Sequence, residues 1–403
     1  MVVTVAPSCT SAGCEHACLR RVWIVVEMVS ALPAVPIAPA AVAPTFHTGT
    51  ADVDDVLLRY GQGALLPFQL GADKQRLRMP GGAVVVIGRY GRYRIAIGDP
   101  VGPPLETPAA WAAFVAGCLA RHATPAVYQA SKASRTDLAA LGLRPFRVGH
   151  EAIIDLATFG LAGSRRANLR HTVTRARKGG VTFRFHPAGV PADDLAGLLR
   201  PLTDIDRRWS SGAGPRLGFT IGSFDPCELD RLAIAIAMDA HGTPIAFTTY
   251  RPTGIDGGWV LDLLRRDPDG PPGALEGSLV EAAIGLREAG ATTLSLGLAP
   301  LARIGDTGSP VEERALVRLA SLVRRLYDVR GLAFFKGKFD PRWEPRYIGV
   351  AHRRHLPGLV LALVGLHVGG YRVVVLGSLR GTAGVARGWV GHVETSVRQA
   401  TDR

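Results

Sequence analysis

The chain has 403 residues and a mass of 42.7 kDa; 47% of it is hydrophobic and 20% charged, which excludes a disordered or collagen-like polymer and leaves room for two to three domains. With 47 basic against 34 acidic residues the net charge is +13, which favours an anionic partner, either nucleic acid or a lipid head-group surface. Five cysteines exclude a disulfide-dense scaffold.

In chain order, residues 1–48 read as a Pro-rich leader. Residues 22–26 are apolar, but Glu27 interrupts them and Pro33, Pro36, Pro39 and Pro44 follow, so a spanning helix is not expected. Cys9, Cys14 and Cys18 lie here beside His16 at a spacing that matches no metal ribbon, and Met28 offers an alternative start. Residues 83–87 and 93–97 are β-rich runs joined by Gly88-Arg-Tyr-Gly91-Arg, a hairpin signal. A helix is predicted over 111–121, a strand over 126–129, a helix over 135–141 closed by Gly142, and a strand over 152–156. Residues 165–178 follow as a helix ended by Gly179-Gly180, then 181–186 as a strand. Further on, 195–208 and 225–239 read as helices, 244–250 and 258–264 as paired strands, 274–289 as a helix and 292–298 as a strand. Residues 310–327 form a helix with Pro310 at its start and Glu312-Glu313 in its first turn, where the dipole favours carboxylates. Strands over 332–339 and 346–350 complete the set. Residues 356–371 lack any formal charge but fall short of the roughly 20 a span needs. With Arg353, Arg354 and Arg372 as flanks, they read as an interfacial helix on anionic lipid or as a helix docked on the domain. The element order predicts an α/β protein with two lobes, 50–190 and 191–355, between the leader and a tail over 356–403.

Only Lys74, Lys132, Lys178, Lys336 and Lys338 are lysine, so 42 of the 47 basic residues are arginine and each lysine raises a question. The 165–178 helix carries Arg165, Arg166, Arg170, Arg175, Arg177 and Lys178 without an acid. Leu169, Val173 and Ala176 form an apolar stripe, and Arg166, Arg170 and Arg177 a basic stripe beside it, the pattern of a phosphate-tracking surface. In Trp259-Val-Leu-Asp262-Leu-Leu-Arg265-Arg266 a carboxylate sits among large apolar residues and should be desolvated unless paired. A straight strand puts Asp262 and Arg265 on opposite faces, so they cooperate only if the strand ends near Leu264; a structural ion pair is the alternative. The Gly270-Pro-Pro-Gly273 loop opens a helix whose first turn holds Glu276, a general anion cradle. Reading from Arg266, Arg-Asp-Pro-Asp-Gly does not match the Arg/Gln-x-x-Gly-x-Gly/Ala signature for coenzyme A, which is disfavoured. In the 332–339 strand, Phe334, Lys336 and Lys338 share one face, where an anion between the two ammonium groups would offset their repulsion; an exposed edge strand would also favour lysine.

These residues carry a family likeness. Gly98-Asp99-Pro100-Val-Gly102, Tyr128-Gln129, Glu151 before Ile153-Ile-Asp-Leu, and Asn168-Leu-Arg170 with Lys178-Gly form its first part. Phe224-Asp225, Leu261-Asp262-Leu-Leu-Arg265, Leu294-Ser-Leu-Gly297-Leu-Ala299-Pro300-Leu301, and Phe335-Lys336-Gly-Lys338-Phe with Trp343-Glu344-Pro345-Arg-Tyr347 form the second. From about 55 to 355 the chain resembles the C-terminal domain of the phosphatidylglycerol lysyltransferases, without their flippase region. The resemblance implies tandem GNAT-like (acyltransferase-like) lobes with mixed sheets flanked by helices. It implies transfer of lysine, alanine or arginine from aminoacyl-tRNA, as co-substrate and with no other cofactor or metal, to a hydroxyl of phosphatidylglycerol. The enzyme would lie in the cytoplasm, peripherally on the inner face of the plasma membrane. The family's acid-and-arginine strand maps onto Asp262 and Arg265 and its lysine motif onto Lys336 and Lys338. Asp262, then Glu276, would orient or deprotonate the acceptor, and Arg265, Lys336 and Lys338 would hold phosphates or offset charge on the carbonyl oxygen. Arg166, Arg170, Arg177, Lys178, Trp343 and Glu344 would bind substrate. The alternatives are an acyl-CoA-dependent N-acyltransferase and a non-catalytic tRNA- or membrane-binding relative.

Overall fold

A computed structural model describes residues 51–213, 218–304, 310–322 and 329–368. Their strands are β1 (Gln75–Arg78), β2 (Val84–Tyr90), β3 (Tyr93–Ile97), β4 (Thr124–Ala130), β5 (Arg144–Asp155), β6 (Thr182–His186), β7 (Ala233–Met238), β8 (Pro244–Pro252), β9 (Trp259–Arg266), β10 (Thr293–Pro300) and β11 (Arg342–Val350). The principal helices are α1 (Ala51–Tyr60), α2 (Thr107–Ala120), α3 (Arg135–Ala140), α4 (Ala167–Lys178), α5 (Ala192–Ala213), α6 (Ala274–Glu288), α7 (Val311–Leu322), α8 (Val329–Gly337) and α9 (Leu356–His367).

The strands form one mixed sheet in the order β1-β2-β3-β4-β11-β5-β10-β9-β8-β7-β6. The expected sheets of two lobes are therefore continuous. The last strand stitches them, because β11 inserts between β4 and β5 and pairs antiparallel with both. Strand β6, which falls before residue 190, pairs with β7 at the far edge of the second half. Every residue of β4 and of β7 is buried, as expected where helices cover both faces of a sheet. Trp111 and Phe114 of α2 pack with Leu138 and Leu143 against Val85, Ile87 and Val127. On the second half, α4 and α6 bury Leu169, Val173, Leu279 and Val280 against Ala235, Tyr250 and Leu294, and α5 covers the other side with Leu202 and Ile205 on Ile234, Phe247 and Leu263.

Two predicted elements differ in kind. Residues 225–239 are a tight turn, Pro226–Arg231, followed by β7. The Asp225 carboxylate accepts from the Cys227 N–H at 2.9 Å and Pro226 starts the turn, while the Ala-Ile-Ala-Ile alternation is a strand buried on both faces. Residues 332–337 are not a strand but the end of α8, and 338–339 the turn after it; Leu332, Phe335 and Phe339 pack toward the core. Lys336 lies in the last turn of the helix and Lys338 in the turn after it, so the expected strand face common to both does not exist and each ammonium has its own partner.

Helix α9 takes the docked alternative, burying Leu356, Leu359, Ala362 and Leu363 on the side of the sheet that holds Val84, Val86 and Ile348. Among the described residues no helix is long and apolar enough to cross a membrane. The leader with Cys9, Cys14, Cys18 and His16, the end of the 310–327 helix and most of the tail lie outside the described residues.

Candidate active site

Strands β9 and β10 run parallel but pair only at Leu294 with Trp259 and Ser295 with Val260. Beyond that they separate, and the crevice at the carboxyl ends of parallel strands is where open α/β sheets take ligands. Both strands are irregular at this point. In β9, Tyr250 opposes Leu261 and Thr249 opposes Leu263, which leaves Asp262 as an extra, bulged residue. The bulge reverses the alternation of faces. Asp262 therefore lies with Leu263 and Arg265 on the α5 side, although the strand runs on through Arg266. The expected end of the strand near Leu264 is not found; the bulge alone brings the two side chains to one face.

The Asp262 side chain is 1% exposed. Its Oδ2 accepts from Thr249 Oγ1 at 3.1 Å and lies 3.4 Å from Arg251 Nε, while Oδ1 is buried with no hydrogen-bond partner. Burial pushes its carboxyl above the usual range, against the opposing pull of Arg251 and Thr249. Arg265 does not bind Asp262; its Nε donates to Asp206 Oδ1 of α5 at 2.6 Å. The structural ion pair expected between Asp262 and Arg265 is therefore not formed: Arg265 pairs with Asp206 and Asp262 lies beside Arg251.

On β10 the register to β5 shifts between Ser295 and Leu298, with Gly297 at φ +75°. Lys336 comes from α8 into this irregularity, and its Nζ donates to the Leu298 carbonyl at 2.7 Å. An added Cβ on Gly297 would lie 3.8 Å from that nitrogen, an ordinary contact, so it is the left-handed φ and not space for the amine that calls for glycine here. Burial lowers the Lys336 amine to about 7, with Glu151 the counteracting charge. Glu151, buried on β5, accepts from Ser295 Oγ at 2.6 Å through Oε1 and from Arg346 Nε at 2.7 Å through Oε2. Three strands distant in sequence therefore meet on one carboxylate beside one buried amine.

The other candidates are placed less centrally. Lys338 Nζ donates to Glu276 Oε1 of α6 at 2.9 Å and lies over the Phe334 and Phe335 rings at 5.4 and 5.8 Å. No anion between Lys336 and Lys338 is needed. Arg166 donates to the carbonyls of Phe339 (3.2 Å) and Gly160 (3.0 Å), and Arg170 to those of Leu161 (2.7 Å) and Gly163 (2.9 Å). These two arginines fold the 159–163 loop instead of lining an open stripe. Arg177 lies 3.6 Å from Glu281 and over the Phe183 ring, and Lys178 is exposed. The exposed face of α4 is Asn168, His171, Arg175 and Lys178, with Arg165 just before it. Trp343 packs on the core under the Arg303 guanidinium at 5.2 Å, and Glu344 pairs with Arg342. A separate cleft of about 540 Å³ lies at the start of β5, with Arg135, Arg144 and Tyr347 in its wall and Arg147 bound to Glu313.

The sequence alone assigns no role to Glu151, Arg346, Ser295, Arg251 or Thr249. Glu151 and Arg346 stand inside quoted motifs, but only the insertion of β11 beside β5 brings them together. Among the described residues no group of three or more His, Cys, Asp or Glu side chains could hold a metal ion.

A family model, phosphatidylglycerol lysyltransferase, C-terminal, matches residues 55–349. The phosphatidylglycerol lysyltransferase of Bacillus subtilis is 30% identical over 300 residues, 73% of this chain and 34% of that protein. The lysylphosphatidylglycerol biosynthesis bifunctional protein LysX of Mycolicibacterium vanbaalenii is 30% identical over 281 residues, 67% of this chain and 24% of that protein. The chain thus spans about a quarter to a third of the length of these relatives. Among solved structures, the C-terminal domain of a protein named as a lysylphosphatidylglycerol synthetase, from Agrobacterium fabrum, superposes with a TM-score of 0.68 at 28% identity, covering 80% of this chain and 98% of that one. The structure of L-PGS from Bacillus licheniformis gives 0.67 at 25% identity, with 80% and 97% covered.

Proposed function

Since the chain belongs to the phosphatidylglycerol lysyltransferase C-terminal family, we propose that it moves an amino acid from aminoacyl-tRNA to a hydroxyl of phosphatidylglycerol at the inner face of the membrane. The ester of a charged tRNA is already activated, so the transfer needs no further energy source. The acceptor oxygen attacks the aminoacyl carbonyl, the bond to the ribose oxygen breaks, and the acceptor's proton passes through a protein group to that leaving oxygen.

Asp262 is the base in this scheme. The observation that carries it is the Oδ1 atom, buried at the separation of β9 and β10 without a partner. An oxygen so placed has no protein donor to displace, so an acceptor hydroxyl admitted beside the Gly222 backbone can bond it, and a raised carboxyl pKa suits general-base work. Lys336 in its ammonium form offsets the charge that grows on the carbonyl oxygen. Glu151, Ser295 and Arg346 fix the strand from which Lys336 takes its acceptor. Arg265, tied to Asp206, and Lys338, tied to Glu276, hold the walls of the crevice. For the donor RNA, the exposed basic groups Arg165, Arg175, Arg177 and Lys178 supply phosphate contacts, which position the backbone without reading sequence.

The test is incubation of the purified protein with labelled mixed aminoacyl-tRNA and a membrane lipid extract, followed by chromatography of the lipids. Label appearing in one lipid identifies donor and acceptor together. Label remaining wholly on RNA, with every amino acid supplied, refutes the activity.

A further inference from the structure

The segment Gly218–Phe224 crosses the face of the sheet from the end of α9 to Asp262. Among the described residues its backbone bonds are few: Gly218 N–H donates to the His367 carbonyl at 2.8 Å, and Ile221 N–H to the Gly218 carbonyl at 3.2 Å. Side chains hold the rest. His367 Nδ1 is 2.7 Å from the Leu363 carbonyl, which can only accept, so Nδ1 carries the hydrogen and Nε2 is an acceptor. Thr220 Oγ1, 2.9 Å from Nε2, therefore donates to it. Every proton in the chain Thr220–His367–Leu363 has one direction. Burial, to which Lys74 adds, keeps the ring neutral by lowering it to about 4.

Phe219 is held on several sides. It has the left-handed φ of +67° and stacks on Tyr128 with centroids 6.4 Å apart. It meets the edge of His367 at 5.1 Å and lies 5.6 Å from the Lys74 ammonium. At the other end, Phe224 packs on Phe247 at 5.2 Å. Between these anchors Gly222 lies directly on the Asp262 carboxyl: a Cβ there would be 2.1 Å from Oδ1. Only glycine permits this approach. The segment thus covers the Gly222 side of the carboxyl, and its position is fixed from β4 and α9.

We propose that Thr220 and His367 are positioning residues for the reaction: their hydrogen bond, with Phe219 stacked on Tyr128 beside it, clamps the Gly218–Phe224 segment so that Gly222 packs against Asp262. The inference rests on Asp262 acting as proposed above, and extends it to a Thr-His pair that touches no reacting atom.

The test compares Thr220→Val, which keeps the shape but neither donates nor accepts, with Thr220→Ser, which keeps the hydroxyl. Each full-length variant is treated with a water-soluble carbodiimide and a small amine, and labelling of Asp262 is read by mass spectrometry; amide exchange over 218–224 is read in parallel. Thr220→Val should label Asp262 roughly five- to a hundredfold faster than the wild type, the range for removing one buried bond and leaving its partners unsatisfied. Thr220→Ser should label like the wild type. In the transfer assay Thr220→Val should lower kcat with the KM for charged tRNA unchanged, and Thr220→Ser should restore it. Equal labelling of Thr220→Val and wild type, or Thr220→Val turning over at the wild-type kcat, overturns the clamp. Wild-type protein that shields Asp262 as described yet transfers nothing overturns the proposed activity instead, so the two failures are distinguishable.

Discussion

Replacing Lys336 by Met should stabilise the fold while abolishing transfer. In the folded protein the amine titrates at about 7, against 10.5 when exposed, because burial disfavours the ammonium. The folded state therefore binds fewer protons than the unfolded one between these values, and stability rises with pH across that window. The shift of about 3.5 units corresponds to roughly 5 kcal/mol that Lys336 costs below pH 7, falling to about 2 kcal/mol near pH 9 and to nothing well above 10.5. Loss of the bond to the Leu298 carbonyl removes about 1 kcal/mol from the gain. Lys336→Met should accordingly exceed the wild type by about 3 kcal/mol at pH 7 and about 1 kcal/mol at pH 9. Urea unfolding of both proteins at the two pH values measures this. A variant that is less stable at pH 7, or a difference that does not shrink with pH, would refute the placement of a buried, destabilising amine. A stabilised protein without activity would mark Lys336 as kept for chemistry.

The same two groups set the pH profile. Single-turnover transfer should rise as the Asp262 carboxyl ionises, with its midpoint above the ordinary carboxylate range, and fall above about pH 7 as Lys336 loses its proton; a flat profile between pH 5 and 9 contradicts both roles. Gly222→Ala should lower kcat by more than tenfold, since its Cβ cannot coexist with Asp262 Oδ1; wild-type turnover would show that the cover does not matter. Arg166→Ala should lower stability by about 1–3 kcal/mol by stranding the Phe339 and Gly160 carbonyls, yet leave RNA affinity unchanged. Arg175→Ala with Lys178→Ala should do the reverse, weakening RNA binding and reducing its log–log salt slope by roughly 0.7–0.9 for each phosphate no longer neutralised. Filter binding across a salt series separates the two sets.

What is legible in the residues alone is set by local interactions. The hairpin at Gly91, helix α4 with its apolar stripe at Leu169, Val173 and Ala176, and the Gly273 entry to α6 are local decisions, made by turn chemistry and helical spacing. Strand β7 is obscured because a sheet buried on both faces loses its polar alternation, and Ala-Ile repeats then fit either period. Residues 332–339 read as a strand because their aromatic run is β-prone, and the burial of Leu332 with the core contacts of Phe335 and Phe339 decides otherwise. The site itself depends on pairings that no window contains. The bulge at Asp262 exists only against β8, and Glu151 meets Arg346 only because β11 crosses between β4 and β5. The arginines of α4 form a stripe on a helical projection, but two of them are claimed by carbonyls of a loop whose path follows the tertiary fold.

The most direct measurement uses purified wild-type protein and Asp262→Asn under single-turnover conditions, with charged tRNA and phosphatidylglycerol vesicles, reading aminoacyl lipid by mass spectrometry. The account predicts a burst of aminoacylated phosphatidylglycerol from the wild type and a rate lower by about 10²–10⁴-fold from Asp262→Asn, with RNA binding equal in both. Asp262→Asn forming product at the wild-type rate would contradict it.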